Sequence, residues 1–255
     1  MRASSASASP RAAAQAMPRL RPDRVRRARL VERLERGSAG RLVVVEAPAG
    51  FGKTTLVADW LAATGRPYAW LTVERGLEGP DAFLAGLEAA VDRALGLDGR
   101  CAQAATREGI LLSMASRIAE SGRGLVVVVD DFHRAEAQGS GSVVARLAEL
   151  LPEGSCLVVA SRSGPDFPKA RMRAKGELEE IGADELRFTP AEARELLARA
   201  ASREEQPRLS DEDAAILEAR TEGWIAGLQL ALLALRDGRD PRAFVEAFGG
   251  TTRSV

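Results

Sequence analysis

Residues Ala47–Trp60 read APAGFGKTTLVADW and carry two glycines, a lysine and two adjacent threonines in close order. The pattern that cradles nucleotide phosphates is G-x-x-x-x-G-K-[ST]. Gly52, Lys53 and Thr54 fit it, and Ala47 stands where its first glycine would be. Gly50 and Gly52 let the backbone curl and aim its N–H groups at phosphate oxygens. A helix that starts here adds unpaired N–H groups and the positive end of its dipole. Lys53 would reach the β- and γ-phosphates as a point charge, and the Thr54 hydroxyl would ligate Mg²⁺. Thr55 adds a phosphate contact. The cofactor-binding stretch is therefore Ala49, Gly50, Phe51, Gly52, Lys53, Thr54 and Thr55. Ala47 lies at a strand exit, away from the phosphates, and suits the cradle if its φ stays negative. The competing reading is a glycine-rich turn before an exposed lysine.

A second element separates these readings. LVVVVDD (Leu125–Asp131) ends a strongly apolar run with two carboxylates. Ligands of open α/β sheets bind at the carboxyl ends of strands, and a phosphate-loop enzyme needs one acid there for its Mg²⁺. Asp130 takes that role, with Thr54, as the metal-binding pair. Asp131 is placed to orient or deprotonate an attacking water, or else is a turn or capping aspartate. Arg162, just after CLVVA, is the second catalytic candidate, able to sense a γ-phosphate or stabilise its developing charge. The alternative for Arg162 is a solvated loop arginine. His133, the only histidine, reads as structural before it reads as a relay.

These groups require strands that deliver them. RLVVVEAP (41–48), PYAWLTV (67–73), LVVVVDD and SCLVVASRS are short Val-rich runs of the kind buried on both faces of a parallel sheet. Helical spacing covers KTTLVADWLAAT, GPDAFLAGLEAAVDRAL from Pro80 or Asp81, residues 108–120 and residues 143–151. LRFT (186–189) is expected as a further short strand. Strands alternating with helices predict a three-layer α/β fold with a parallel sheet. From Pro190 the pattern turns all-helical, with Thr189 and Ser210 as caps and a last helix running to Gly238. The expected organisation is a leader over 1–20, a nucleotide-binding domain over 21–189 and a small helical domain over 190–255.

Composition narrows the partners. Lys+Arg and Asp+Glu both number 36 in 255 residues, so no overall charge favours nucleic acid or a membrane surface. No apolar run approaches the roughly 20 residues that span a bilayer. Cys101 and Cys156 lack metal-ligand spacing and read as free thiols of a reducing cytosol. The first thirty residues hold eight Arg against one Asp, which reads as a disordered leader, with Met17 an alternative start and a transit peptide the competing interpretation. Trp60, Trp70 and Trp224 read as core or subdomain contacts, and Lys169, Arg171, Arg173 and Lys175 as a solvated basic face.

Four segments, RLVVVEAPAGFGKTTLVADWL, VVVVDDFHR, LVVASRSGPDFPKARMRAKGELEEIGADELRFTPAEARELL and TEGWIAGLQLALLAL, occur in the order found in MalT-like regulators. The chain from Arg21 to Asp240 resembles these large ATP-binding LuxR-type transcription factors, a branch of the STAND NTPases. That family commonly opens its loop with Ala or Ser, so Ala47 looks like a family trait. The resemblance implies an ATP/ADP switch with Mg²⁺ on Gly50–Thr55 and Asp130, with Arg162 as the sensor arginine and with slow hydrolysis. It implies that RPDRVRRARLVERL lies near the nucleotide base and that Gly223–Trp224 contacts nucleotide from the far side. Self-association in the ATP state follows for the full-length form. Ile225 departs from a common Pro, and the acidic cluster after the second strand is reduced to Glu74, Glu78 and Asp81. Nothing here resembles the LuxR-type DNA-reading helix pair, so DNA binding is expected only of further domains. Two readings remain beside the switch: a nucleotide binder without turnover, and a small-molecule phosphotransferase using the Arg171–Arg173 region.

Overall fold

The computed structural model describes residues 17–22, 24–97, 106–136, 138–201 and 210–236. Five strands form its sheet: β1 (Leu42–Glu46), β2 (Tyr68–Thr72), β3 (Val126–Asp130), β4 (Cys156–Ser161) and β5 (Leu178–Ile181). All neighbours pair in parallel, in the order β2-β3-β4-β1-β5. Eleven helices accompany them among the described residues: α1 (Ala28–Gly37), α2 (Lys53–Thr64), α3 (Pro80–Leu95), α4 (Arg107–Glu120), α5 (His133–Glu136), α6 (Gly141–Leu150), α7 (Ala170–Ala174), α8 (Ala183–Leu186), α9 (Pro190–Ala201), α10 (Asp211–Thr221) and α11 (Ile225–Arg236).

The valine runs are continuous because both sheet faces are covered. Strand side chains alternate between faces. Val44, Val127, Val129, Leu157 and Val159 join residues of α3, α4 and α6 in one cluster. Val43, Val45, Val126, Val128, Cys156 and Val158 join residues of α1 and α2 in the other. The result is the expected three-layer α/β arrangement. The three tryptophans are all buried, as is the Cys156 thiol, whose pKa burial pushes up to about 11. Cys101 and the leader over 1–16 lie outside the described residues, as does the expected helix end at Gly238.

One expected strand moves. Leu186–Thr189 is not a strand; the edge strand is Leu178–Ile181, whose LEEI sequence hides it behind two glutamates. Glu179 pairs with Arg33 of α1 at 2.5 Å, and Glu180 meets Lys169 at 3.4 Å and Arg173 at 2.5 Å. Half of the basic run is therefore tied to the sheet edge and is not merely a solvated face. Leu186 instead closes α8, which starts where the Gly182 N–H donates to the Glu185 carboxylate at 2.7 Å.

Beyond that point the two expected caps form. The Glu192 N–H donates to Thr189 Oγ1 at 3.2 Å while the Thr189 N–H donates to Glu192 Oε2 at 2.9 Å, a reciprocal capping box. The Asp213 N–H donates to Ser210 Oγ at 3.1 Å. Helices α9, α10 and α11 share a third apolar cluster that also takes in Val25 and Phe188.

The central strand β4 is the load on which both faces close. Leu157→Ala should cost about 2–5 kcal/mol, as buried leucine truncations do, read as a lowered urea midpoint at constant slope.

Candidate functional site

Strand β4 lies between β1 and β3. The loop after β1, the acids ending β3 and the arginine after β4 therefore emerge side by side at the carboxyl edge of the sheet. That is where connections diverge and a cleft opens. A cavity of about 320 Å³ occupies this place, lined by Ala49, Gly50, Gly52, Lys53, Thr54, Thr55, Asp131 and Arg162, and closed by Ile225, Ala226 and Gln229 of α11. Eight of the ten residues singled out in the sequence line it. Phe51 does not: its ring is buried in the α1–α2 layer, so only its backbone belongs to the loop. Asp130 sits beneath the cavity floor.

The loop has the curvature its glycines allow. Gly50 and Gly52 have φ of 80° and 74°, a region that L side chains rarely adopt. At Gly50 there is also no room, because a Cβ would come within 2.5 Å of the Ala226 Cβ. The non-glycine residues with positive φ are Asp131 and Glu222 among the described residues. Ala47 is not one of them, so the missing first glycine costs no strain. Lys53 opens α2 and is 8% exposed. Its ammonium donates to the carbonyls of Ala47 at 2.7 Å and Pro48 at 3.0 Å. Burial lowers its pKa, Asp131 and Asp130 oppose that shift, and Arg162 adds to it.

Asp130 is 4% exposed. Both of its oxygens lie near the Thr54 hydroxyl, at 3.0 and 2.9 Å, and the Asp131 N–H donates to Oδ1 at 3.1 Å. Burial pushes its pKa up to about 6 against the bond from Thr54, while nearby Asp131 pushes the same way. Burial outweighs the nearby Lys53 ammonium, the weakest of the causes that lower the Asp130 pKa. Two hard oxygen donors in contact, one of them an acid under-compensated for charge, suit a small divalent ion such as Mg²⁺. Asp131 turns from the strand with φ 55° and brings its carboxylate to the cavity. His133 Nδ1 lies 3.9 Å from Asp131 Oδ1, buried and without a hydrogen-bond partner. Desolvation lowers the His133 pKa, with Asp131 opposing.

Several residues of the site carry no motif of their own. Arg27, in the lead-in before α1, is 4% exposed and donates to the carbonyls of Gly52 at 2.9 Å and Leu186 at 3.1 Å. Its burial lowers its pKa to about 10. Trp224 donates from Nε1 to the Ala49 carbonyl at 3.2 Å. A second cavity, about 270 Å³, is lined by Pro18, Arg19, Leu20, Arg21 and Arg24 together with Thr54, Thr55 and Gln229. It shares those last three residues with the first, so the two form one trough. Arg24 is anchored there by an ion pair to the buried Asp59 of α2. The family resemblance places RPDRVRRARLVERL and Gly223–Trp224 near the nucleotide; the residues' own types give only an unusual density of arginine ahead of α1.

Asp130 holds a proton more tightly folded than unfolded, where 3.8 is ordinary. Between about pH 4 and pH 6 the folded state binds more protons, so stability falls as pH rises through that window. In metal-free buffer, Asp130→Asn should abolish this fall. Urea unfolding should show the variant gaining on the wild type from pH 4 to pH 7, by on the order of 3 kcal/mol.

The AAA ATPase domain family model matches residues 24–159, just over half of the chain. The chain is 34% identical over 241 residues to the serine/threonine-protein kinase PknK of Mycobacterium tuberculosis, covering 89% of this chain and 21% of that protein. It is 32% identical over 223 residues to the HTH-type transcriptional regulator MalT of Cronobacter sakazakii, covering 82% and 24%. It thus spans between a fifth and a quarter of these relatives. The STAND protein with a tetratricopeptide repeat sensor from Pyrococcus horikoshii superposes with a TM-score of 0.57 at 18% identity, covering 88% of this chain and 31% of that one. The ADP form of the Aeropyrum pernix ORC2 protein gives 0.54 at 17%, covering 90% and 70%. The resemblance to MalT-like regulators carried by the four sequence motifs is borne out, and the chain belongs to the AAA ATPase domain family.

Proposed function

We propose that this chain is a nucleotide switch that binds ATP or ADP with Mg²⁺ and hydrolyses ATP slowly, as part of a larger regulator. The observation that carries this reading is the trough. Its one end gathers Lys53, Arg162 and the Gly50–Gly52 backbone, all suited to anionic oxygens, and its other end is a cavity walled by Leu20, Pro18 and arginine side chains. A triphosphate at the first end and a flat base at the second fit that order of chemistry.

In this reading Ala49–Thr55 hold the phosphates, and Thr54 and Asp130 hold Mg²⁺, which supplies neutralisation of phosphate charge. Asp131 orients or deprotonates the water and Arg162 meets charge developing on the γ-phosphate. Residues 21–189 then act as the nucleotide-binding part and 190–255 as the helical part that covers it. The same kind of module occurs in a protein named as a kinase and in proteins named as transcriptional regulators. The module's own contribution is therefore the nucleotide state, with the output supplied by other domains, DNA contact included. Self-association in the ATP state belongs to this proposal. A cytoplasmic site of action does too, supported by the lack of any described helix long and apolar enough to cross a membrane.

Lys53→Ala should weaken binding of a fluorescent ATP analogue roughly 10- to 100-fold, the scale of lost charge-assisted hydrogen bonds. Chelation of Mg²⁺ should weaken it further in the wild type. Asp131→Asn should lower single-turnover phosphate release by roughly 100-fold, the scale of a general base, with binding retained. Equal release by wild type and variant at the background rate would reduce the module to a nucleotide binder without turnover.

A further inference from the structure

Four consecutive carbonyls of the phosphate loop accept from groups outside the loop, two at the start of α11 and two from the lead-in arginine Arg27. Ala49 O accepts from Trp224 Nε1 at 3.2 Å, and Gly50 O from the Ala226 N–H at 3.1 Å. Phe51 O accepts from Arg27 Nη1 at 3.4 Å, and Gly52 O accepts from Arg27 Nη2 at 2.9 Å as well as from the Leu56 N–H of α2 at 2.9 Å. The peptides here are trans, since no described bond is cis. In a planar trans peptide the N–H of one residue points opposite to the carbonyl before it. Holding these carbonyls outward therefore turns the N–H groups of Gly50, Phe51, Gly52 and Lys53 toward the concave side, where phosphate oxygens would sit.

The donors are themselves fixed. Arg27 makes a third bond to Leu186 O and lies 5.8 Å from the Phe188 ring centroid. The Phe188 N–H donates to Gly223 O at 2.9 Å. Gly223, at φ 72°, allows this approach, since a Cβ there would come within 2.5 Å of Phe188 O. The turn before α11 is thus wedged between the Phe188 backbone and the loop, with Trp224 and Ala226 presented to two neighbouring carbonyls.

We propose that Trp224, Ala226 and Arg27 are positioning residues that latch the loop carbonyls and thereby set nucleotide affinity, coupling phosphate binding to docking of α11. They touch the loop backbone and act on nucleotide through it. The proposal rests on the nucleotide-binding reading above. Coupling is reciprocal: whatever the latch adds to nucleotide affinity, bound nucleotide returns as tighter docking of α11.

The test uses the full chain with a fluorescent ADP analogue and Mg²⁺, read by anisotropy, beside hydrogen exchange of the first turn of α11. Trp224→Phe keeps an aromatic ring and removes the indole donor. Arg27→Lys keeps the charge and loses the two-pronged grip. Ala226→Pro removes the amide donor at a helix position that tolerates proline. Trp224→Phe and Ala226→Pro should each weaken the analogue about 5-fold, as one neutral hydrogen bond does, and Arg27→Lys about 10-fold or more, as loss of a charged donor does. In the wild type, ADP should slow exchange of the Ala226 amide by about 10-fold or more, and Arg27→Lys should abolish most of that protection. A merely structural role would lower the melting temperature of the apo protein without removing the nucleotide-dependent protection. Affinities within 2-fold of wild type in folded Trp224→Phe and Arg27→Lys, or an exchange rate at Ala226 indifferent to ADP, overturn the latch while leaving nucleotide binding intact. Failure of the wild type to bind the analogue overturns the nucleotide reading, and the latch with it.

Discussion

A carboxylate buried at the end of a valine strand is the constraint around which this end of the molecule is arranged. Asp130 has almost no contact with solvent, and its side-chain partner is the Thr54 hydroxyl. That contact joins the last residue of β3 to the first turn of α2, across the intervening β4. It therefore fixes how far the phosphate loop stands from the acids. The raised pKa of Asp130 measures how little the protein alone does for this charge. In the proposed reading this acid and the hydroxyl beside it are the two oxygen donors that would hold Mg²⁺.

The same economy explains the two orders of packing. The sheet faces are filled by alternating apolar side chains, chiefly valines, and the buried charges of the covering helices are paired, Glu88 and Asp92 with Arg117 and Asp59 with Arg24. At the carboxyl edge Lys53, Asp131 and Arg162 share one cavity. The third apolar cluster, around α9–α11, is built separately and meets the sheet domain at the phosphate loop through backbone carbonyls, with Arg27 and Val25 drawn in from the lead-in. Contact between the parts thus includes the segment that phosphate would also engage, beside ion pairs such as Arg29–Glu192 and Arg187–Glu222. In the proposed reading, that is where nucleotide state would reach the helical part.

Much of this was legible in the sequence, and the reasons are local. GFGKTT is legible from its own glycines and the following helix once VVVVDD supplies the acids that a mere glycine turn would not need. VVVVDD announces a strand buried on both faces, and Thr189 and Ser210 mark their helices by cap chemistry. What escaped was what depends on partners distant in sequence. LEEI looks like surface because its glutamates find Arg33, Lys169 and Arg173 only after folding. LRFT looks like a strand because Leu and Phe alternate, yet Leu186 is claimed by α8 and Phe188 by the turn at Gly223. Arg27 is one arginine among eight in its stretch, and nothing local distinguishes it from the exposed ones. Asp131 could be placed but not aimed, since its left-handed backbone is not encoded by any glycine.

The position of Trp224 in the chain has a consequence for synthesis. The last strand of the sheet ends at Ile181, whereas the indole that meets Ala49 arrives 175 residues after it. A nascent chain released from the ribosome tunnel only as far as β5 has every strand of its sheet available for pairing. Its phosphate loop at that stage lacks two of the donors that hold its carbonyls. The order of translation therefore makes every strand available before the two α11-side donors that complete the loop's contacts.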